Sequence, residues 1–288
     1  MPGSGPNPDP SPPLSGPGTG RLAGKVALIT GTSPNIGGVV ASGFAAAGAR
    51  VACNDIRPDV VADRVARIEA AGDGIGQAMG VPGDVTDPAA MAEVVSAVLD
   101  RWGRIDILIN NAVRFDTRGL LDMPVESYRK QLDVILGGAF IVSSLVARSM
   151  IERSIRGSII NILSTAAWQG QAGNIGYCTG KSALINFTRS AAMELAPYGI
   201  RVNGFTPTAT MPDEPALADA FTGAAANLRA NGVMDFQGMN PWDRLPTPTD
   251  YISPLIFLAS DESTLMTGSN ITIDGGALAK YWPQYPRR

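Results

Sequence analysis

Histidine is missing from this chain altogether. With it go Ser-His-Asp hydrolysis, His-activated cysteine chemistry and most transition-metal sites. Any acid–base chemistry must come from Tyr, Lys, Asp, Glu or Cys. Cysteine is scarce: Cys53 and Cys178 stand alone, in no metal-ligand spacing, which fits a reducing, cytoplasmic compartment and gives no metal site to expect. No apolar run approaches the ~20 residues a membrane span needs. The first twenty residues hold seven prolines and five glycines but no Lys, Arg or apolar stretch, which excludes a signal peptide. A net charge of −3 leaves no basic footprint for nucleic acid or an anionic membrane.

What is present is the composition of a soluble globular protein, 45% hydrophobic and 17% charged, in 288 residues. Residues 1–21 read as a disordered Pro/Gly-rich tail, 22–277 as one domain and 278–288 as a C-terminal tail. Within the domain, strands alternate with helices. Apolar runs at 25–30, 50–55, 76–85, 104–112, 157–164, 199–205 and 270–276 are of strand type. Between them, helical patterns cover 35–47, 58–71, 88–103, 124–152, 173–196 and 249–260. Asp87 before Pro88 is a plausible N-cap. Residues 207–248 read as irregular. The alternation predicts a seven-stranded, doubly wound parallel α/β sheet with helices on both faces.

Chemistry concentrates in Ser164–Lys181, STAAWQGQAGNIGYCTGK, where Tyr177 and Lys181 are four apart and Ser164 lies thirteen residues before the tyrosine. On a helix that spacing puts phenol and ammonium on one face. A cation held alongside favours the phenolate, so Tyr177 becomes a proton donor and acceptor, with Ser164 hydrogen-bonding the oxygen that changes charge. Tyr and Lys four apart also occur by chance on surface helices, so other motifs must decide. The turn T-G-T-S-P-N-I-G (30–37) follows the first strand and opens a helix, whose free N–H groups and positive dipole end suit a pyrophosphate. Asp55 ends the second strand, where a carboxylate accepts ribose hydroxyls and repels a 2′-phosphate, favouring NAD over NADP. Arg57 works against that preference, and a bland alternative is that Asp55 only caps the next helix.

These motifs, with Asp84-Val85, N-N-A at 110–112, P-Y-G-I-R-V-N at 197–203 and T-G-x(5)-D-G-G at 267–276, occur in an order that resembles the short-chain dehydrogenase/reductase family. The resemblance spans about residues 22–277 and implies a Rossmann-type fold. By that resemblance Gly31, Ser33, Asn35, Ile36 and Gly37 form the coenzyme turn, and Asp55 meets the ribose. Asp84 and Val85 meet the adenine, with Asn111 and Ala112 beside the adenosine-side ribose. Pro207, Thr208 and Thr210 close on the nicotinamide. Tyr177 is the acid/base, Lys181 holds the nicotinamide ribose and lowers the tyrosine pKa, and Ser164 binds the substrate oxygen.

Four departures accompany it. Asn35 stands where glycine is usual, and is tolerable because Asn enters the left-handed region readily. Val113 and Thr208 also replace common glycines. Ile135 falls on the family's helix asparagine, which helps hold a water connecting the lysine to solvent. Residues 208–248 are read as a substrate flap: Met211, Phe221, Met234, Phe236, Met239 and Trp242 either cover a pocket for a bulky hydrophobic alcohol or ketone or merely anchor a loop. Trp168, Tyr177 and Met211 join Ser164 as expected substrate contacts. The resemblance further implies a homotetramer (or homodimer) built on 124–152 and 173–196. The tail aromatics Tyr281, Trp282 and Tyr285 are either pinned against a neighbouring subunit, the favoured reading, or frayed. Beside a dehydrogenase stand two rivals: an enoyl-thioester C=C reductase, and a dinucleotide-binding regulator with little turnover.

Overall fold

A computed structural model describes residues 20–71, 77–230, 239–242 and 244–280. Most of both tails, with Tyr281, Trp282 and Tyr285, and the flap residues Met234 and Phe236 lie outside the described residues. In chain order the elements are β1 (Val26–Thr30), α1 (Ile36–Ala46), β2 (Arg50–Asn54), α2 (Pro58–Ala70), β3 (Ala78–Gly80) and α3 (Pro88–Trp102). Then come β4 (Ile107–Asn110), α4 (Val125–Leu132), a π turn (Asp133–Gly137), α5 (Gly138–Glu152), β5 (Ser158–Ile162) and α6 (Ile175–Leu195). The chain continues through β6 (Arg201–Pro207), α7 (Pro215–Ala230), α8 (Pro248–Ala259) and β7 (Asn270–Ile273).

The seven strands pair in the order β3-β2-β1-β4-β5-β6-β7, every pairing parallel. Alternate side chains of β1 enter different cores. Ala27 and Ile29 pack with Phe44 of α1 and Tyr251 and Leu255 of α8, whereas Val26 and Leu28 pack with Met91 of α3, Val146 of α5 and Ala192 of α6. Each such fully buried side chain contributes roughly 1.5–3 kcal/mol, which is why the strands read as unbroken apolar runs. Asp87 caps α3, accepting from Ala89 N at 2.8 Å and Ala90 N at 3.3 Å, and Gly103 closes the helix in the left-handed region (φ 74°). The strand order reverses between β1 and β4, so the crevice beyond their carboxyl ends is where such a sheet receives a ligand.

Two expectations need correcting. Residues 207–248 are not irregular throughout, because α7 occupies Pro215–Ala230. Its alanine-rich sequence carries helix propensity and a first-turn proline but no clean apolar stripe, so periodicity missed it. The long helix 124–152 is interrupted in hydrogen bonding by the π turn that holds Ile135. Counted through that turn, Val125–Glu152 is 28 residues, long and apolar enough in composition to cross a bilayer, but half of its apolar window is buried inside the fold.

Candidate active site

β1 ends at Thr30, whose hydroxyl organises the turn beyond it. Thr30 Oγ1 accepts from Asn111 N at 3.0 Å and Ala112 N at 3.2 Å, and Asn111 Nδ2 returns a bond to Gly31 O at 2.7 Å. Gly31 needs its left-handed φ of +68°, with Ala112 Cα 2.9 Å from where a Cβ would stand. Asn35 sits at the N-cap of α1 with φ −142° and ψ −139°, so the left-handed region reserved for it in the sequence argument is not used. Its side chain caps nothing, and the first turn of α1 holds no acidic residue. The positive end of α1 therefore faces the crevice without a side-chain acceptor, the condition an anionic coenzyme fits.

Asp55 follows β2 and accepts from Arg57 N at 3.1 Å, with Arg57 Nε 4.0 Å away. It thus orders the entry to α2 from the carboxyl end of the second strand. Asp84 accepts from Thr86 N and Thr86 Oγ1 through Oδ1. Val85 and Ala112 line a small internal cavity with Lys181, Asn110 and Ile135. Below it runs a buried polar chain that sequence reasoning overlooked. Asn110 Nδ2 donates to Ser143 Oγ at 2.9 Å and Asn161 Oδ1 at 2.8 Å, and Asn161 Nδ2 donates to Thr188 Oγ1 at 2.9 Å. Its signal was available in the sequence as asparagines inside two apolar strands.

A second cavity of about 630 Å³ runs from Ser33, Asn35, Ile36 and Gly37 to Ser164, Tyr177 and Lys181 and on to Pro207, Thr208 and Thr210. The expected coenzyme turn, acid/base pair and closing loop are thereby brought together. Ser164 starts a 3₁₀ turn, accepts from Ala166 N at 3.1 Å and shares the cavity wall with the Tyr177 phenol. Lys181, 3% exposed, donates to Ile162 O at 2.5 Å and lies 5.8 Å from the Tyr177 ring centroid. Thr165 and Thr208 hydroxyls meet at 3.2 Å, and Thr210 bonds Tyr251 at 2.9 Å, tying the closing loop to the 3₁₀ turn after β5 and to α8.

Trp168 and Met211, expected substrate contacts, stand outside this cavity wall. Trp168 Nε1 is turned to Thr206 Oγ1 at 3.3 Å, and Met211 pairs its backbone with Pro246. Phe115, not singled out from the sequence, lines the cavity: its ring stacks on Tyr177 at 4.5 Å while staying 57% exposed. Ile135 is 2% exposed and packs beside Gly180, so this side of the pair offers no side-chain hydrogen bond, whereas Asn110 Oδ1 is buried without a partner.

The acidic phenol expected from Lys181 is not found in the protein alone. Burial pushes Tyr177 up to about 12, offset in part by the neighbouring Ser164 hydroxyl, and pulls Lys181 down to about 7. An unfolded lysine titrates near ~10.4. Between these values the unfolded chain binds more protons, so the buried lysine's cost is relieved as pH rises from about 7; below that both states are charged and the slope vanishes. Thermal unfolding of wild type and Lys181→Met between pH 7 and 9 checks this. Wild type should gain on the variant by at most about 1.4 kcal/mol per pH unit, and a constant difference would contradict the shift.

Sheet, turn and cavity together define a doubly wound α/β protein with a large cleft beyond the carboxyl ends of its central strands. A family model described as enoyl-(acyl carrier protein) reductase matches residues 31–277. Sorbitol dehydrogenase of Cereibacter sphaeroides is 35% identical over 257 residues, 89% of this chain and 98% of that protein. A short-chain type dehydrogenase/reductase from Mycobacterium marinum superposes with a TM-score of 0.80 at 32% identity, covering 90% of this chain and 97% of that one. A structure of NAD⁺-bound xylitol dehydrogenase superposes with a TM-score of 0.80 at 31% identity, covering 88% and 99%. The chain belongs to the short-chain dehydrogenase/reductase family, and with it to the oxidoreductases of alcohols and ketones that use NAD(P).

Proposed function

We propose that the protein interconverts a secondary alcohol and its ketone with NAD(H), Tyr177 serving as acid/base. The observation that carries this reading is that Ser164, Tyr177 and buried Lys181 share the wall of a cavity that reaches the coenzyme turn, with Lys181 Nζ 5.8 Å from the Tyr177 ring. A bound nicotinamide supplies the hydride acceptor or donor. Tyr177 passes the hydroxyl proton, Ser164 steadies the oxygen, and Lys181 holds the ribose and, once charged, lowers the phenol. Gly31, Ser33, Asn35, Ile36, Gly37, Asn111 and Ala112 cradle the dinucleotide, Asp84 and Val85 meet the adenine, and Pro207, Thr208 and Thr210 close over the nicotinamide.

The substrate is bulky and mainly apolar, in keeping with Val113, Phe115, Phe221 and Met239 on the cavity wall, while Gln169 and Gln171 offer an edge for further hydroxyls. Sorbitol dehydrogenase and xylitol dehydrogenase, both sugar-alcohol enzymes by name, support hydroxylated substrates. The family model's description favours C=C reduction as a second reading. Against it, Tyr177 and Lys181 keep the four-residue spacing with Ser164 at the phenol, an arrangement suited to a carbonyl oxygen. Assembly is as a homotetramer or homodimer through α4, α5 and α6, in the cytoplasm.

The test follows reduced nicotinamide absorbance with purified protein, NAD or NADP, and a panel of cyclic and open-chain secondary alcohols beside an enoyl thioester. Turnover with an alcohol and NAD is expected, and Asp55→Ala should shift the NADP/NAD preference about tenfold towards NADP. Turnover of the enoyl thioester alone would establish the second reading instead.

A further inference from the structure

α2 carries two arginines three residues apart, in contrasting surroundings. Arg67 lies at the surface and holds two carboxylates, Asp63 and Glu214, each at 2.8 Å. Arg64 is only 5% exposed. Among the described residues its one hydrogen bond runs from Nη1 to Ser42 Oγ at 3.2 Å, and its Nε is buried with no partner. No carboxylate pairs with it there. The neighbouring thiol, Cys53, is no anion, since burial pushes it up to about 12. Burial, and then Arg67, lower the Arg64 guanidinium, opposed by the more distant Asp63 and Glu214 that Arg67 holds, but an arginine remains protonated in a protein. A buried charge is normally paired, and this one is not.

Its position is informative. Arg64 Nη2 and the Ser33 carbonyl oxygen each come within 2.5 Å of the point where a Cβ on Gly38 would stand. Ser33 O also receives Asn35 N at 2.7 Å and Gly38 N at 3.0 Å, so the guanidinium underlies the backbone that joins the turn to α1. The helix end there has no side-chain cap and no acidic residue. Two sources of positive potential, a helix N-terminus and a desolvated guanidinium, converge, and among the described residues neither is met by a carboxylate ion pair.

We propose that Arg64 is a positioning residue for the coenzyme, its unpaired buried charge being completed by the dinucleotide's phosphates through the Ser33–Gly38 backbone. The inference rests on the dinucleotide reading above. It separates from an ordinary structural arginine by sign. Losing a structural arginine weakens the free protein, whereas losing an uncompensated buried charge relieves it and weakens the complex.

The test measures binding and melting, not turnover. NADH is titrated by fluorescence, and unfolding is followed with and without NADH, in wild type and Arg64→Met. The variant should melt no lower than wild type when free, bind NADH about tenfold more weakly and lose most of the NADH-induced rise in Tm. Arg64→Lys, which keeps the charge, should bind within a few-fold of wild type. An Arg64→Met protein that binds NADH like wild type overturns the inference. If that variant does not fold, Arg64→Lys is compared with Arg64→Gln: affinity kept only by lysine supports the proposal, and equal affinities overturn it. Absence of NADH binding in wild type would overturn both this and the dinucleotide reading, so the two failures are told apart.

Discussion

Turnover should be lost on replacing Tyr177 with phenylalanine, while fold and dinucleotide binding persist. The substitution removes one oxygen. The ring keeps its stack on Phe115 and its packing against Ile135, Ala139, Leu163 and Leu184, and Lys181 keeps Ile162 O. What disappears is the hydroxyl that would carry the proton, on the cavity wall it shares with Ser164. With no histidine in the chain, no neighbouring imidazole can take over. A positioned acid/base contributes typically 10²–10⁴-fold, and a fall of about that size in kcat is expected, with NADH affinity within a few-fold of wild type. Undiminished activity on any alcohol would sink the assignment of Tyr177.

The second large effect is structural. Valine at position 37 would place its Cβ 2.1 Å from Gly31 O and 2.5 Å from Asn111 Nδ2. Neither atom can yield cheaply: they are hydrogen-bonded to each other at 2.7 Å, and Gly31 is backed by Ala112. Gly37→Val should therefore cost more than about 3 kcal/mol and abolish dinucleotide binding, read by thermal melting and NADH titration. Gly119→Ala, with nothing within 4 Å of its Cβ, is the control expected to match wild type. Unchanged melting in Gly37→Val would mean that the turn has slack the packing does not suggest.

How much of this was legible beforehand follows from where the determinants lie. Strands buried on both faces announce themselves as continuous apolar runs, and the seven parallel strands are found where those runs fall. Tyr177 and Lys181 were legible because a helix turns sequence spacing into adjacency. Contacts between distant segments were not. Phe115 reaches Tyr177 from a loop, so no local period marks it. Trp168 lies close in sequence to Ser164, but its indole N–H is satisfied by Thr206 on a neighbouring strand, and that bond turns it from the cavity. The phenol's environment was not legible because spacing reports proximity and says nothing about desolvation, which raises Tyr177 and lowers Lys181 in the protein alone.

The chain of amides from Asn110 to Asn161 and Thr188 stitches β4 to β5 and α6, with Ser143 of α5 joined to the same knot. Sliding either half of the sheet against the other would strand these dipoles in a dry interior. The scaffold on which both halves of the cleft are mounted is thus a single stiff plate. Whatever breathing admits and releases ligands falls to the loops at its rim, where hinges cost little.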